Sequence, residues 1–263
     1  MRGPRYSVLG TWVDAVDPPS ALQEIEAWLA GARRRYVCVA NVHSVMEAFG
    51  DESFRRVYDR AGLTVPDGMP LVWVGRLKGH AGVRRVYGPD LMLELCERLA
   101  RAGRSCFFYG GSPGVAAQLA ERLCRRFPGL RSAGSYAPPF RELSAEEEKE
   151  VVRLLNQAAP DVIFVGLGCP RQEKWMAVFR ERLSAPVLVG VGAAFDFHTG
   201  RVDQAPRWMM SAGLEWLFRL AQEPRRLWRR YLFYNPLFVF HVTLELLGVR
   251  CYSAPDEDGG GAA

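Results

Sequence analysis

Val162-Ile163-Phe164-Val165 runs straight into Gly166-Leu167-Gly168-Cys169-Pro170-Arg171-Gln172, and this junction decides the fold. A continuous apolar run without polar alternation is what a strand covered on both faces requires. The glycines stop the strand, and a helix-like stretch follows. The same succession occurs at Tyr36–Ala40 before Asn41-Val42-His43, and at Cys106–Tyr109 before Gly110-Gly111-Ser112-Pro113-Gly114. It occurs again at Val187–Val191 before Gly192-Ala193-Ala194-Phe195-Asp196. Repeated units of this kind predict an α/β fold with a mostly parallel, Rossmann-like sheet flanked by helices. Ligands of such sheets bind beyond the carboxyl ends of the strands, where these loops lie.

Outward from these strands, Leu9–Val16 reads as a first strand and Ala21–Ala30 as a helix capped by Ser20. Helices are predicted over Ser44–Gly50, Met69–Arg76, Leu91–Arg101 and Val115–Phe127, with strands at Leu63–Val65 and Arg131–Tyr136. Ser144-Ala145-Glu146-Glu147 is a capping-box pattern that opens a helix to about Ala158. Residues 1–200 therefore read as an α/β catalytic core. Residues 201–250 lose all strand signal and read as a helical, membrane-associating appendage. Residues 251–263 turn acidic and then glycine-rich, which predicts a disordered tail.

The chain has 263 residues and a formal net charge of +5, enough for a full core and ordinary for a soluble protein. No uninterrupted apolar stretch approaches the roughly 18 residues of a spanning helix. The first 20 residues lack the apolar centre of a signal peptide. A cytoplasmic location is expected. Six cysteines form no Cys-x-x-Cys pair and have no histidine at metal-ligand spacing, so they read as small hydrophobes. Cys169, in a site loop, reads as a wall residue.

The loops offer distinct chemistries. Gly110, Gly111 and Ser112 open a helix where backbone N–H groups can meet a phosphate; a plain tight turn is the alternative. Gly166 and Gly168 resemble the start of a dinucleotide fingerprint, but Arg171 takes the place of the third glycine. Gln172, near a helix start, offers a donor and an acceptor to a ligand, while Arg171, Glu173 and Lys174 read as a solvated helix face. Asp67 follows an apolar strand and Pro66, with Gly68 turning the chain at once. Such a carboxylate can take a proton from a substrate hydroxyl, or it can cap the helix at Met69. Gly192 and Asp196 lie in the last site loop, Asp196 as ligand contact or turn stabiliser. His43 and His198 stand in site loops as weaker base candidates. No Asp-x-Asp motif occurs outside Asp256-Glu257-Asp258 in the tail, so neither a metal nor another cofactor is expected.

Between Arg207 and Phe240, Arg207, Arg219, Arg225, Arg226, Arg229 and Arg230 face only Glu215 and Glu223, interleaved with Trp208, Trp216, Phe218, Trp228, Tyr231 and Phe233. Pro224 separates two helices. Arginines and aromatics on short helices suit an anionic lipid surface or ligand phosphates. A docked helical pair with a basic outer face is the plainer alternative. Nucleic acid is not expected, because no recognised binding module accompanies the patch.

Taken in order, Ala40-Asn41-Val42-His43, Val65-Pro66-Asp67-Gly68, Arg85-Val86-Tyr87-Gly88, Gly166–Trp175, Gly190–Asp196 and Leu214-Glu215-Trp216-Leu217-Phe218-Arg219 make the chain resemble the WecB/TagA/CpsF glycosyltransferases, glycosyltransferase family 26, over roughly Leu9 to Phe240. The resemblance implies an inverting, metal-independent enzyme. It would move an N-acetylmannosamine-type or related sugar from a UDP-sugar donor to an undecaprenyl-diphosphate-linked acceptor in cell-surface polysaccharide synthesis. It would do so at the inner face of the plasma membrane, and a homo-oligomer is compatible with it. By position, Asp67 matches the family's base, Asn41 its pocket partner, and Arg85 and Gln172 pocket positions. Arg219, Arg226 and Arg229 match arginines that close over the site. Val39 replaces a common threonine, which removes one hydroxyl from the pocket. Two other readings stay open: a non-catalytic nucleotide-sugar-binding protein at the membrane, and an NAD-dependent oxidoreductase, for which the glycine fingerprint is incomplete.

Overall fold

The computed structural model describes residues 3–252. An antiparallel hairpin, β1 (Arg5–Val8) and β2 (Thr11–Asp14), leads into α1 (Pro18–Ala30). Then come β3 (Arg35–Ala40), α2 (Val42–Gly50), α3 (Glu52–Asp59), β4 (Leu63–Pro66), α4 (Met69–Leu77) and α5 (Gly88–Arg101). They are followed by β5 (Ser105–Gly110), α6 (Val115–Arg126), β6 (Arg131–Tyr136), α7 (Ala145–Ala158), β7 (Val162–Gly166), α8 (Arg171–Phe179), β8 (Val187–Gly190) and α9 (Ala194–Thr199). Four helices close the described chain: α10 (Arg207–Ser211), α11 (Glu215–Gln222), α12 (Pro224–Leu232) and α13 (Tyr234–Leu246).

Strands β3 to β8 form one six-stranded sheet in the order β4-β3-β8-β7-β5-β6, with every pairing parallel. The unbroken apolar runs are explained by its two faces. Phe107, Tyr109, Ile163, Val165 and Leu188 enter one buried cluster, while Cys106, Phe108, Val162, Phe164, Val187 and Val189 enter the other. Alternation survives in direction only, because both sides are covered. Phe164 is fully buried and stacks on Phe108 at 5.7 Å. Phe164→Ala is expected to cost about 3–5 kcal/mol, read as a shift in the denaturant midpoint.

Several boundaries correct the sequence reading. The single strand expected at Leu9–Val16 is the hairpin β1–β2, turned at Leu9 and Gly10, both with positive φ. Helix α1 starts at Pro18, and its cap is Asp17, whose carboxylate accepts from the Ser20 N–H; Ser20 completes the reciprocal bond from the third helical position. The capping box at Ser144 forms as expected, and α11 and α12 are separated at Pro224. Cys38, Cys96 and Cys106 are buried, Cys124 and Cys169 half-buried, and Cys251 is exposed rather than packed.

The appendage is not simply appended. Phe238 and Val242 of α13 belong to the core, and Glu245 pairs with Lys78 at 3.0 Å and accepts from the Leu9 N–H. Of the segment expected to be a tail, Tyr252 is described, with its hydroxyl 2.8 Å from His241 Nδ1; residues 253–263, including Asp256-Glu257-Asp258, fall outside the described residues. Among the described residues, no helix is long and apolar enough to cross a membrane.

Candidate active site

The carboxyl ends of the strands and the helices α11 to α13 enclose a cleft of about 1580 Å³. Strand register brings its first pair together. Ala40 pairs with Pro66 across β3 and β4, and the Asp67 N–H donates to the Ala40 carbonyl at 2.8 Å. Asn41 and Asp67 therefore leave adjacent strands at the same height, and both line the cleft.

Asp67 does not cap α4. Gly68 holds the cap position, without any side-chain bond to the helix. The carboxylate is instead held from the side. Val86 N–H donates to the Pro66 carbonyl, which lays the segment from Arg85 to Tyr87 along the end of β4. Arg85 Nε donates to the Asp67 carbonyl, and its Nη2 lies 3.3 Å from Asp67 Oδ1. The same Nη2 lies 2.5 Å from Glu215 Oε2 on α11, and the guanidinium rests over the Tyr87 ring at 4.3 Å. Burial pushes the Asp67 carboxyl up to about 6; Arg85 opposes the shift and Glu215 adds to it. A carboxylate so raised is ionised at neutral pH yet more basic than a solvated one, which suits proton removal.

Asn41 has a double assignment. Its Oδ1 caps α2 by accepting from the Ser44 N–H, and Ser44 Oγ accepts from the Asn41 N–H. Arg230 Nη2 approaches the same Oδ1 at 3.5 Å. Gln172, expected to face a ligand, is buried in the wall of the cleft. It is 4 % exposed; its Oε1 accepts from the Gly192 N–H at 3.0 Å, and its Nε2 donates to Glu173 Oε1 at 2.8 Å. It thus fixes the loop after β8 while still lining the cleft.

Glu173, expected on a solvated face, is fully buried. Burial raises its carboxyl to about 7. Its folded value lies above the unfolded one, so its stabilising contribution is complete below about 4.5 and is lost as pH rises through about 7. Glu173→Gln is expected to flatten the fall in stability across that window, measured by urea unfolding at several pH values.

Gly111, Ser112, Gly166, Gly168, Gly192 and Asp196 all line the cleft. Gly110 does not. It sits behind the wall at φ +127°, where a Cβ would come within 2.5 Å of the Gly166 carbonyl oxygen. The two glycines let the ends of β5 and β7 approach, and any side chain at 110 would force them apart. The Gly111 N–H is also spent, donating to the Gly166 carbonyl at 2.9 Å.

His43 is in the wall, stacked on Tyr234 at 5.5 Å. Burial first, and then the positive charge of Arg230, lower it to about 3. It is neutral at working pH and too weak a base to compete with Asp67. Its Nδ1 stands 3.8 Å from Glu47, but a neutral ring makes this no ion pair. His198 points its Nε2 at the Pro89 carbonyl, 3.0 Å away, and pins α9 to α5.

The opposite wall is cationic. Arg219, Arg226, Arg229 and Arg230 all line the cleft from α11 and α12. Glu223 takes Arg226 at 2.5 Å and is 3.9 Å from Arg219, while Arg229 lies over the Trp228 ring. Arg230 has no carboxylate within ion-pair distance among the described residues, and its Nε is buried without a partner. Burial lowers its proton affinity. An unpaired buried guanidinium is costly unless an anion meets it. Sequence reasoning counted Arg230 only among the basic residues and quoted Glu215 only within a motif; folding brings them to Asn41 and Arg85. Among the described residues, no three His, Cys, Asp or Glu side chains gather as a metal site.

Two curated proteins resemble the chain over most of its length. It is 34% identical over 197 residues to an N-acetylglucosaminyldiphosphoundecaprenol N-acetyl-beta-D-mannosaminyltransferase of Bacillus spizizenii, covering 75% of this chain and 74% of that protein. It is 29% identical over 196 residues to a protein of the same name from Bacillus subtilis, covering 74% of each. The model of the glycosyl transferase WecG/TagA/CpsF family matches residues 6–251. With a parallel sheet, a cleft at its carboxyl end and a matching family model over nearly the whole sequence, the chain belongs to the WecG/TagA/CpsF family of glycosyl transferases.

Proposed function

We propose that the protein transfers an N-acetylmannosamine-type sugar from a UDP-sugar to a sugar carried on undecaprenyl diphosphate, with inversion and without a metal. The observation that carries the reading is the opposition of two walls: a raised carboxyl at Asp67 on one side, and four arginines on the other. Asp67 takes the proton of the acceptor hydroxyl as that oxygen forms its bond to the anomeric carbon. The bond from that carbon to the diphosphate oxygen breaks on the opposite face, and UDP leaves with the electron pair. The charge that grows on the diphosphate is met by fixed guanidinium groups, which need no reorganisation as it develops. Arg230 is the best placed of them: like Arg229 it has no carboxylate within ion-pair distance among the described residues, but it is half-buried and reaches Asn41 at 3.5 Å, whereas Arg229 is exposed. The names of the two bacillary relatives supply the sugar and acceptor class.

The membrane enters through the acceptor. Trp228 and Leu232 on α12, Val239 and Phe240 on α13, and Phe233 between them are exposed, in the same segment as the exposed Arg225 and Arg226. Apolar and basic side chains together suit the headgroup region of an anionic bilayer, at roughly 1 kcal/mol per basic residue. Binding to phosphatidylglycerol vesicles is expected to weaken steeply with salt and to fall further in Phe233→Ser with Phe240→Ser.

The test is UDP release from UDP-N-acetylmannosamine in the presence of undecaprenyl-diphosphate-linked N-acetylglucosamine, with anomeric configuration read by NMR and with EDTA in a parallel arm. Acceptor-dependent release of UDP with inverted product supports the reading. Retention of configuration, or no release from any UDP-sugar, overturns it.

A further inference from the structure

Glu215 is one of only two acidic residues among the many arginines of the segment from Arg207 to Phe240, and it is not spent on any of them. It is the first residue of α11, and its side chain, 18 % exposed, reaches back into the core to Arg85. The contact at 2.5 Å is shorter than the 3.3 Å between the same Arg85 nitrogen and Asp67 Oδ1. The second oxygen, Oε1, faces the Tyr87 hydroxyl at 3.4 Å. One guanidinium is therefore shared by two carboxylates, and the nearer of them comes from the C-terminal helices.

We propose that Glu215 is a positioning residue which draws Arg85 away from Asp67, so that the docking of α11 leaves the Asp67 carboxylate free to act as base. This rests on the reading of Asp67 as the base. The charges around Asp67 make the balance plain. Arg85 and Tyr87 come from the segment before α5, the Gly88 N–H from the start of α5, Asn41 from the turn after β3, and Glu215 and Arg219 from α11. Only Arg85 is a cation bonded directly to the Asp67 carboxylate. Two negative groups share its single positive charge, so the carboxylate held at longer distance is the less neutralised and the more basic. Without Glu215, Arg85 has one partner left and pairs with Asp67 alone, which stabilises the ionised form and blunts its basicity. Burial raises Asp67, and Glu215 adds to that rise, in accord with this arrangement. Docking of α11 and activation of the base are then one event, since the residue that makes the base effective is carried by that helix.

The experiment uses the full chain with 13C-labelled aspartate, following the Asp67 carboxyl resonance with pH in wild type, Glu215→Gln and Glu215→Asp, beside the pH profile of kcat/KM. In Glu215→Gln the Asp67 midpoint and the acidic limb of the profile move down together by about one pH unit, and kcat/KM at pH 7.5 falls about three- to tenfold. Glu215→Asp keeps the charge and is expected to hold the midpoint near that of wild type, even where the shortened contact lowers turnover. A midpoint that stays put or rises in Glu215→Gln overturns the proposal, and the NMR reading needs no turnover. Asp67→Asn separates the two claims. Full activity in that variant removes the base itself, whereas an inactive Asp67→Asn with an unmoved Glu215→Gln midpoint removes only the role of Glu215.

Discussion

Asp67→Asn is expected to lower kcat by about 10²–10⁴ while the affinity for UDP changes little. The amide keeps the size of the side chain and the contact with Arg85, so the loop between β4 and α4 has no reason to move. What it loses is the negative charge, and with it the basicity needed to take the proton. The Asp67 N–H to Ala40 bond and the Gly68 cap are both main-chain features that the substitution leaves intact. Calorimetric titration with UDP beside a steady-state assay makes the distinction. A large loss of UDP affinity with a preserved kcat places Asp67 in nucleotide binding and removes it from the chemistry.

Arg230→Met is expected to cost about 10²–10³ in kcat/KM and to leave stability unchanged or improved. The side chain is half-buried, its Nε has no partner, and no carboxylate among the described residues meets its charge, so in the free protein it is a liability that an apolar side chain of similar length removes. Opposed changes in activity and in unfolding midpoint identify a residue kept for an anion. Loss of both would mean that Arg230 serves mainly to hold α12 on the core through Asn41. Arg226 provides the internal control. Its charge is already met by Glu223 at 2.5 Å and its side chain is largely exposed, so Arg226→Met is expected to cost less.

The parallel sheet was legible because a strand buried on both faces has to be apolar throughout, and four runs carried that signature before four loops. Asp67 was legible for a related reason: a charged residue at the end of such a run has a small set of uses. Its rival use as a helix cap could not be eliminated from the sequence, because Asp67 and Gly68 are both acceptable caps and only the backbone decides between them. The hairpin at Arg5–Asp14 was missed since its turn, Leu9-Gly10, carries an apolar residue at positive φ where Asn or Asp is usual. Glu173 was misplaced because its neighbours Arg171 and Lys174 are exposed, and one buried carboxyl among them leaves no periodic trace. The position of Gln172 was legible, but its contact with Gly192 was not, because the partner comes from a loop 20 residues further along the chain. Arg230 stood in a charge count and Glu215 in a motif without a role of its own, because their partners Asn41 and Arg85 lie 189 and 130 residues away in sequence.

Strand β8, which sits between β3 and β7, is the last of the six to be made. Until Val187–Gly190 leaves the ribosome, β3 with β4 and β5 with β6 and β7 are two separate half-sheets, each with an open edge that β8 alone is shaped to fill. The β3 edge, complete at Ala40, must therefore stay unpaired until Val187 is made, which favours late and concerted closure over piecewise growth. A cell making this enzyme has reason to shield those edges with a chaperone, and a fragment ending before Val187 should be found in inclusion bodies instead of solution.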